Sequence, residues 1–255
     1  MSVFQKPKDE AVLVSVVTPA RNAAEHLPHT VASVASQGPI LLEHIIIDDG
    51  STDATAEVVK ELQCQYPCIR YLYQPHSGAG RARNLGIEAA TGQFIAFLDS
   101  DDLWLPGKLE AQIAFMKTHQ VAFSFGDYEQ RDRASGNVMK RHTPPDELTY
   151  RHLLNGCPIG CLTAAYDQST FGKVYMPQVT RGQDWGLWLA LTRMGGTARK
   201  YPGMRAVYHS GGGSLSTNKF AKVADIYGIY RKQEHLDHVR SGWYLTWHVL
   251  NSLLK

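Results

Sequence analysis

The sequence predicts an α/β fold: a mostly parallel central sheet flanked by helices, with a helical extension at the C-terminal end. Three observations carry that expectation. Short apolar runs alternate with amphipathic segments through the first hundred residues. Those runs end in polar or acidic residues, where ligands gather in parallel sheets. The last stretch, residues 199–255, holds 9 basic and 3 acidic groups, whereas residues 1–198 hold 17 basic and 21 acidic groups.

The elements follow in order. Val12 to Val17 is apolar and β-branched, too short for a helix, and suits a strand covered on both faces. Leu27 to Gln37 repeats Leu27, Val31 and Val34 at helical spacing, and Gly38-Pro39 stops it. His44 to Ile47 is a second strand. Asp53 can cap a helix through Leu62 that turns Ala56, Val59 and Leu62 to one side. Ile69 to Tyr73 is a third strand, and Gly78-Ala79-Gly80 leads into a helix over residues 81–90. Phe94 to Leu98 is a fourth strand.

The second half is less regular. Pro106 opens a helix with Leu109, Ile113 and Met116 inward. Val121 to Tyr128 alternates like a strand. Residues 129–146 are polar, with a turn signal at Ser135-Gly136-Asn137, and read as a loop or hairpin. Asp184 opens a helix striped by Trp185, Trp188, Leu189 and Thr192, which Gly195-Gly196 ends. Met204 to His209 reads as a strand before the run Gly211-Gly212-Gly213. Two helices, over 220–236 and 238–254, close the chain.

Composition excludes several classes. The chain has 255 residues and a net charge of +2, without the basic excess of a nucleic-acid binder. Its 44% hydrophobic and 20% charged residues exclude wholesale disorder. No run approaches the roughly 20 apolar residues of a membrane span. The best candidate, Trp243 to Leu254, is broken by His248, Asn251 and Ser252. Lys6, Lys8, Asp9 and Glu10 do not resemble a secretory signal, so a cytoplasmic chain is expected. Cys64/Cys68 and Cys157/Cys161 are spaced C-x3-C rather than as a zinc clamp, and are expected to be buried free thiols.

Four segments could carry chemistry. In Asp99-Ser100-Asp101-Asp102, three crowded carboxylates repel unless a cation such as Mg²⁺ or Mn²⁺ neutralises them; the other reading is a solvated turn and helix cap. Asp49, in Asp48-Asp49-Gly50-Ser51-Thr52-Asp53, can accept from a base or ribose, or hold a turn. His76 to Asn84 combines glycines with Arg81 and Arg83 at a helix start. By itself it reads as a helix start with exposed arginines. Asp184 is either a partner of its own helix dipole or a general base.

Together these segments resemble glycosyltransferase family 2, the inverting enzymes of the GT-A fold, whose central sheet is Rossmann-like. Val14-Ser15-Val16-Val17-Thr18-Pro19 with Asn22 is similar to the family's first-strand motif. IIIDDGSTD (Ile45 to Asp53) resembles its second-strand motif, and GRARNLG (Gly80 to Gly86) its ARN-x-G helix start. FLDSDD (Phe97 to Asp102) resembles its DxD region, and QDWGLW (Gln183 to Trp188) its EDWDLW segment. Five motifs in order are far more specific than any one.

The resemblance implies a catalytic unit over 1–215 and a helical extension over 216–255. Within the unit, residues 12–104 form a nucleotide-binding half and residues 105–215 an acceptor half. It implies that Pro19, Ala20, Asn22, Asp49, Arg83, Asp99 and Ser100 hold the nucleotide sugar, with Asp49 at the base. Asp101 would bind Mn²⁺ or Mg²⁺, with His209 as a phosphate or metal ligand or simply an exposed residue. Asp184 would deprotonate the acceptor hydroxyl. The implied reaction moves a sugar from a nucleoside-diphosphate sugar, uridine being the expected base, to a saccharide or lipid-linked acceptor with inversion. Bacterial surface-polysaccharide synthesis is the expected setting. A nucleotidyltransferase and a non-catalytic sugar-nucleotide binder are the rival readings.

Two departures stand out. Ala20-Arg21 replaces the family's Thr-Tyr, and Gln183 replaces its Glu, which is expected to alter substrate contacts rather than abolish catalysis. Trp243 and Trp247 lie one helical turn apart, with Val239, Leu250 and Leu254 extending the stripe. They form either a core contact or a docking face for an anionic membrane surface. The glycine run after His209 is expected to close over the donor.

Overall fold

A computed structural model describes residues 13–211 and 219–253. The first half runs β1 (Val14–Ala20), α1 (Leu27–Ala35), β2 (Leu41–Asp49), α2 (Thr55–Gln65), β3 (Ile69–Gln74), α3 (Ala79–Ala89) and β4 (Phe94–Phe97). The second runs β5 (Leu103–Trp104), α4 (Lys108–Thr118), β6 (Phe123–Asp132), β7 (Val138–His142), β8 (Glu147–Leu148), α5 (Tyr150–Leu154), β9 (Ala165–Asp167), α6 (Gln168–Phe171), α7 (Gln183–Arg193) and β10 (Ala198–Ser210). Two helices follow, α8 (Lys219–Gly228) and α9 (His238–Leu253), separated by a π-helical turn over Ile229–Gln233.

The described strands form a single sheet in the order β3-β2-β1-β4-β9-β6-β10-β5, with β7 on β6 and β8 on β10. Parallel pairing joins β3, β2, β1 and β4, because each crossover carries a helix back over the sheet. Beyond β4 the pairing is mixed: β9 runs antiparallel to both neighbours, while β10 runs parallel to β6. The buried runs of β1 and β2 lie inside the sheet, between β3 and β4, and every residue of β1 is buried.

The core is largest on the α3 and α7 side. Val17, Ile47, Ile87, Phe97, Phe123, Trp185 and Trp188 pack there in one cluster. Gly86 sets how closely α3 approaches the sheet, since a Cβ there would collide with Val17 and Ile47. Trp188 stacks on Phe123 with ring centroids 5.0 Å apart. That contact fixes the middle of α7 against the sheet.

Several local expectations are adjusted. Two strands are longer than their apolar runs: β2 extends to Asp49, and β10 begins at Ala198, because ladder pairing with neighbouring strands recruits polar residues. Helix α4 starts at Lys108, behind Gly107 at φ +73°, rather than at Pro106. The polar stretch after β6 does form a hairpin, with β7 antiparallel to β6. The four cysteines are free, but Cys64 is exposed on α2 and Cys68, Cys157 and Cys161 are only partly buried. No described helix is long and apolar enough to cross a membrane. Gly212 and Gly213, in the expected closing loop, lie outside the described residues.

Candidate active site

The carboxyl ends of β1, β2 and β4 converge with the N-termini of α3 and α7. At β2, Asp49 is buried. Its carboxylate accepts from Gln74 Nε2 (2.6 Å), the Ser77 N–H (2.7 Å), the Gly78 N–H (2.9 Å) and His76 Nδ1 (2.8 Å). Burial alone would raise its pKa, but these four donors together hold it below the usual value. Asp49 therefore anchors the loop that enters α3, a role that competes with the base contact the resemblance implies. His76 Nε2 lies 2.7 Å from Arg21 Nη1, so the neutral ring donates from Nδ1 to Asp49 and accepts from Arg21 at Nε2. Arg21 thus stands in an Arg21–His76–Asp49 chain at the mouth of β1 and β2. Gly50, at φ +72°, permits it: a Cβ there would fall 2.7 Å from the His76 backbone nitrogen.

Pro19 and Ala20 are buried at the end of β1, beside Ile47 and Asp48 of β2. Asn22 adopts a positive φ of 48°. Its Oδ1 accepts from the Thr52 N–H (2.8 Å), and its own N–H donates to Ser51 Oγ (3.0 Å). It therefore ties the β1 loop to the β2 loop.

Arg83, expected to be an exposed arginine on the bare sequence, is buried on α3. Its Nη2 donates to Asp99 Oδ1; burial works against the charge, but the Asp99 carboxylate outweighs it and keeps the guanidinium protonated. Arg81, two residues earlier, is exposed and reaches Gln178. Asp184 lies at the start of α7. Burial, the largest influence, raises its pKa, and the Asp99 charge adds to this. Arg83 and the Trp185 N–H pull the other way. Arg83, Asp99 and Asp184 thus act on one another electrostatically.

The acidic turn divides its labour. Asp102 is buried, and its Oδ1 accepts from the His209 N–H at 2.9 Å. Burial first, then the charges of Asp99 and Asp101, push its carboxyl well up. Asp102 is structural: it pins the end of β10 to the turn. Asp101 is 42% exposed at its side chain and pairs with Arg133 Nη2 at 2.5 Å. Its backbone carbonyl accepts from His209 Nδ1 at 3.0 Å, which leaves Nε2 as the ring nitrogen outside that contact. Ser100 sits partly buried between Asp99 and Asp101, with no hydrogen bond of its own among the described residues.

Gln183 donates from Nε2 to the Val179 carbonyl (2.9 Å) and the Thr180 carbonyl (3.0 Å). Its stem presses on Gly80, where a Cβ would meet Gln183 Cγ at 2.9 Å. The amide is turned onto its own loop, so it supports the start of α7.

The Glycosyl transferase family 2 model matches residues 15–173. The chain belongs to glycosyl transferase family 2. It is 36% identical over 244 residues to the "Putative teichuronic acid biosynthesis glycosyltransferase TuaG" of Bacillus subtilis (strain 168), covering 95% of this chain and 97% of that protein. It is 34% identical over 213 residues to the "UDP-Glc:alpha-D-GlcNAc-diphosphoundecaprenol beta-1,3-glucosyltransferase WfgD" of Escherichia coli, covering 83% and 82% of the two chains. The fold matches that of S. aureus TarS 1-349, solved in complex with UDP-GlcNAc. The TM-score is 0.70 at 18% identity, over 93% of this chain and 71% of that one. The GT-A-type architecture expected from the motifs is therefore the one present, and this glycosyltransferase has its charged residues at the strand ends.

Three residues at this site were given no role there by sequence reasoning. Arg133 lies in a polar hairpin without a motif. His76 precedes the glycine loop and gained its role only when Asp49 folded beside it. Cys161 is drawn under the site, where burial raises its thiol pKa and Arg83, Asp99 and Asp184 all act on it.

Proposed function

We propose that this glycosyltransferase moves a sugar from a uridine-diphosphate sugar to a hydroxyl of a saccharide carried on a lipid diphosphate, with inversion and with help from a divalent cation. The observation that carries the reading is the meeting of Arg83, Asp99 and Asp184 at the sheet's carboxyl edge. The named substrates of the Escherichia coli relative and the UDP-GlcNAc complex of TarS support the donor and acceptor classes.

The residues have separate duties. Asp99, held by Arg83, faces the donor. Asp184, raised by burial yet kept within reach of ionisation by Arg83, takes the proton of the attacking hydroxyl. The new bond forms at the anomeric carbon as its bond to the diphosphate oxygen breaks. A base opposite the leaving group gives inversion.

The donor set suits a cation bound partly through substrate. Among the described residues no three His, Cys, Asp or Glu groups are already gathered as a metal cluster. Asp101 and Asp99 each keep one carboxylate oxygen outside their arginine contacts, and His209 keeps Nε2. Mg²⁺ and Mn²⁺ are commonly held this way, by one or two protein ligands and by phosphate oxygens. Bound there, the cation would stabilise charge on the departing diphosphate.

We place the enzyme at the inner membrane face of a bacterium, in surface-polysaccharide assembly. The names of its relatives and the exposed face of α9 support this. Val239, Trp243 and Trp247 there are 83%, 63% and 44% exposed, and the two indoles meet edge to face with centroids 6.3 Å apart. These three are thus not a core contact: Tyr244 and Leu245, turned away from them, pack against the core, while Leu254 and the Leu250 side chain lie outside the described residues.

A donor screen with Mn²⁺ and Mg²⁺ tests the whole reading. Wild type should release UDP from one UDP-sugar and transfer the sugar to a lipid-diphosphate saccharide. Asp101→Asn and Asp184→Asn should not. Pyrophosphate as the product would make the chain a nucleotidyltransferase. Full activity of Asp184→Asn would remove Asp184 as the base.

A further inference from the structure

Two cations have a claim on Asp101. Its carboxylate belongs to the donor set offered to a divalent ion, yet Oδ2 already receives Arg133 Nη2 at 2.5 Å. Arg133 is held in that position. Its backbone N–H donates to the Ser210 carbonyl at 2.9 Å, and the same Nη2 lies 3.5 Å from the His209 carbonyl. The arginine therefore joins the β6 hairpin, the end of β10 and the acidic turn. Its Nε is buried without a partner, so the guanidinium keeps unused donor capacity. Arg133, Asp101 and His209 line a cavity of about 630 Å³ with His26, His29 and Thr30.

We propose that Arg133 is a built-in counter-cation of the acidic turn, which makes divalent-cation binding at Asp101 depend on the nucleotide diphosphate. The inference rests on the cation reading above. Asp99, Asp101 and Asp102 crowd one turn and repel each other. Arg133 relieves that repulsion without any bound ion. A divalent cation would do the same work at the same carboxylate, and it would repel the guanidinium at short range. On the empty protein the ion must displace Arg133 or tolerate it, and either way binds weakly.

A nucleoside diphosphate removes the conflict. Its phosphate oxygens can bridge to the cation and also accept from Arg133, whose planar fork suits them. Both positive charges then have partners. Ion and nucleotide should therefore bind with positive, reciprocal coupling. Arg133 is a positioning residue that discourages loading of the ion before the donor.

Mn²⁺ binding, followed by electron paramagnetic resonance without turnover, tests this on the full chain with and without UDP. Saturating UDP should tighten Mn²⁺ binding to wild type by about tenfold or more. Arg133→Met should bind Mn²⁺ alone about tenfold more tightly than wild type, with a smaller gain from UDP. Arg133→Lys, which keeps the charge, should stay near wild type. Circular dichroism and melting curves establish that the variants are folded, and Arg133→Gln repeats the neutral test if Met is not tolerated. A folded neutral variant that binds Mn²⁺ alone no better than wild type overturns the proposal. If Mn²⁺ binds neither protein with UDP, or binds Asp101→Asn as well as wild type, the cation reading falls and the proposal with it.

Discussion

Arg83 on α3 donates from Nη2 to Oδ1 of Asp99 at the end of β4, across the edge of the sheet where Asp184 also arrives. The pairing keeps a buried cation beside two carboxylates with different duties. Asp99 is held in place, while Asp184 remains unpaired by any cationic side chain among the described residues and must lose its proton to act.

That arrangement gives the pH dependence a sign. A base must be ionised, and the Asp184 pKa is raised, so kcat/KM should fall on the acid side at a higher pH than for an ordinary aspartate. Arg83→Met removes the nearby positive charge and should move this acid limb further up. Asp184→Asn should lower transfer by about 10²–10⁴-fold with donor binding retained. An acid limb that stays put in Arg83→Met, by initial-rate pH profiles, would show that Arg83 does not tune Asp184.

Gln183 yields a prediction about stability. Its amide donates to two backbone carbonyls, and a carboxylate cannot. Gln183→Glu should cost about 1 kcal/mol, with a lower melting temperature at pH 8. Protonation restores one donor, so the deficit should shrink toward pH 5. A melting temperature equal to wild type at both pH values contradicts this account.

His44 makes the whole fold acid-sensitive. It is buried in β2, its Nε2 lies 2.9 Å from Thr18 Oγ1, and burial lowers its pKa from 6.5 to about 3. The native ring stays neutral while the unfolded ring takes up a proton. Its stability contribution is therefore complete above pH 6.5 and is lost progressively toward pH 3. The slope is on the order of 1.4 kcal/mol per pH unit at most. Denaturant titrations from pH 7 to 4 should show a shallower decline for His44→Gln than for wild type, and identical slopes would remove His44 as the cause.

The exposed indoles of α9 predict surface binding. Wild type should sediment with anionic phosphatidylglycerol vesicles and be released by salt. The double variant Trp243→Ser, Trp247→Ser should lose most of that binding while retaining its melting temperature, because both side chains are exposed. Equal sedimentation of variant and wild type would exclude this face as the contact.

The first half of the fold was legible because local and global signals agree there. Apolar runs became β1 to β4, amphipathic repeats became α1 to α3, and five ordered motifs named the family. The second half was less legible, since edge strands such as β5 and β8 are two residues each and carry no period. Motif spacing placed Asp49, Arg83, Asp99, Asp101 and Asp184 on one edge of the sheet. It could not assign their electrostatic partners, because charge pairing depends on distance in space. Only the tertiary structure drew Arg133 across 32 positions to Asp101 and His76 across 27 to Asp49, and turned Gln183 onto its own loop. It also buried Arg83 and exposed the tryptophan stripe. The sequence by itself determined the fold, the family and the strand ends that carry the carboxylates; packing decided which of those charges are neutralised, and so which remain free for chemistry.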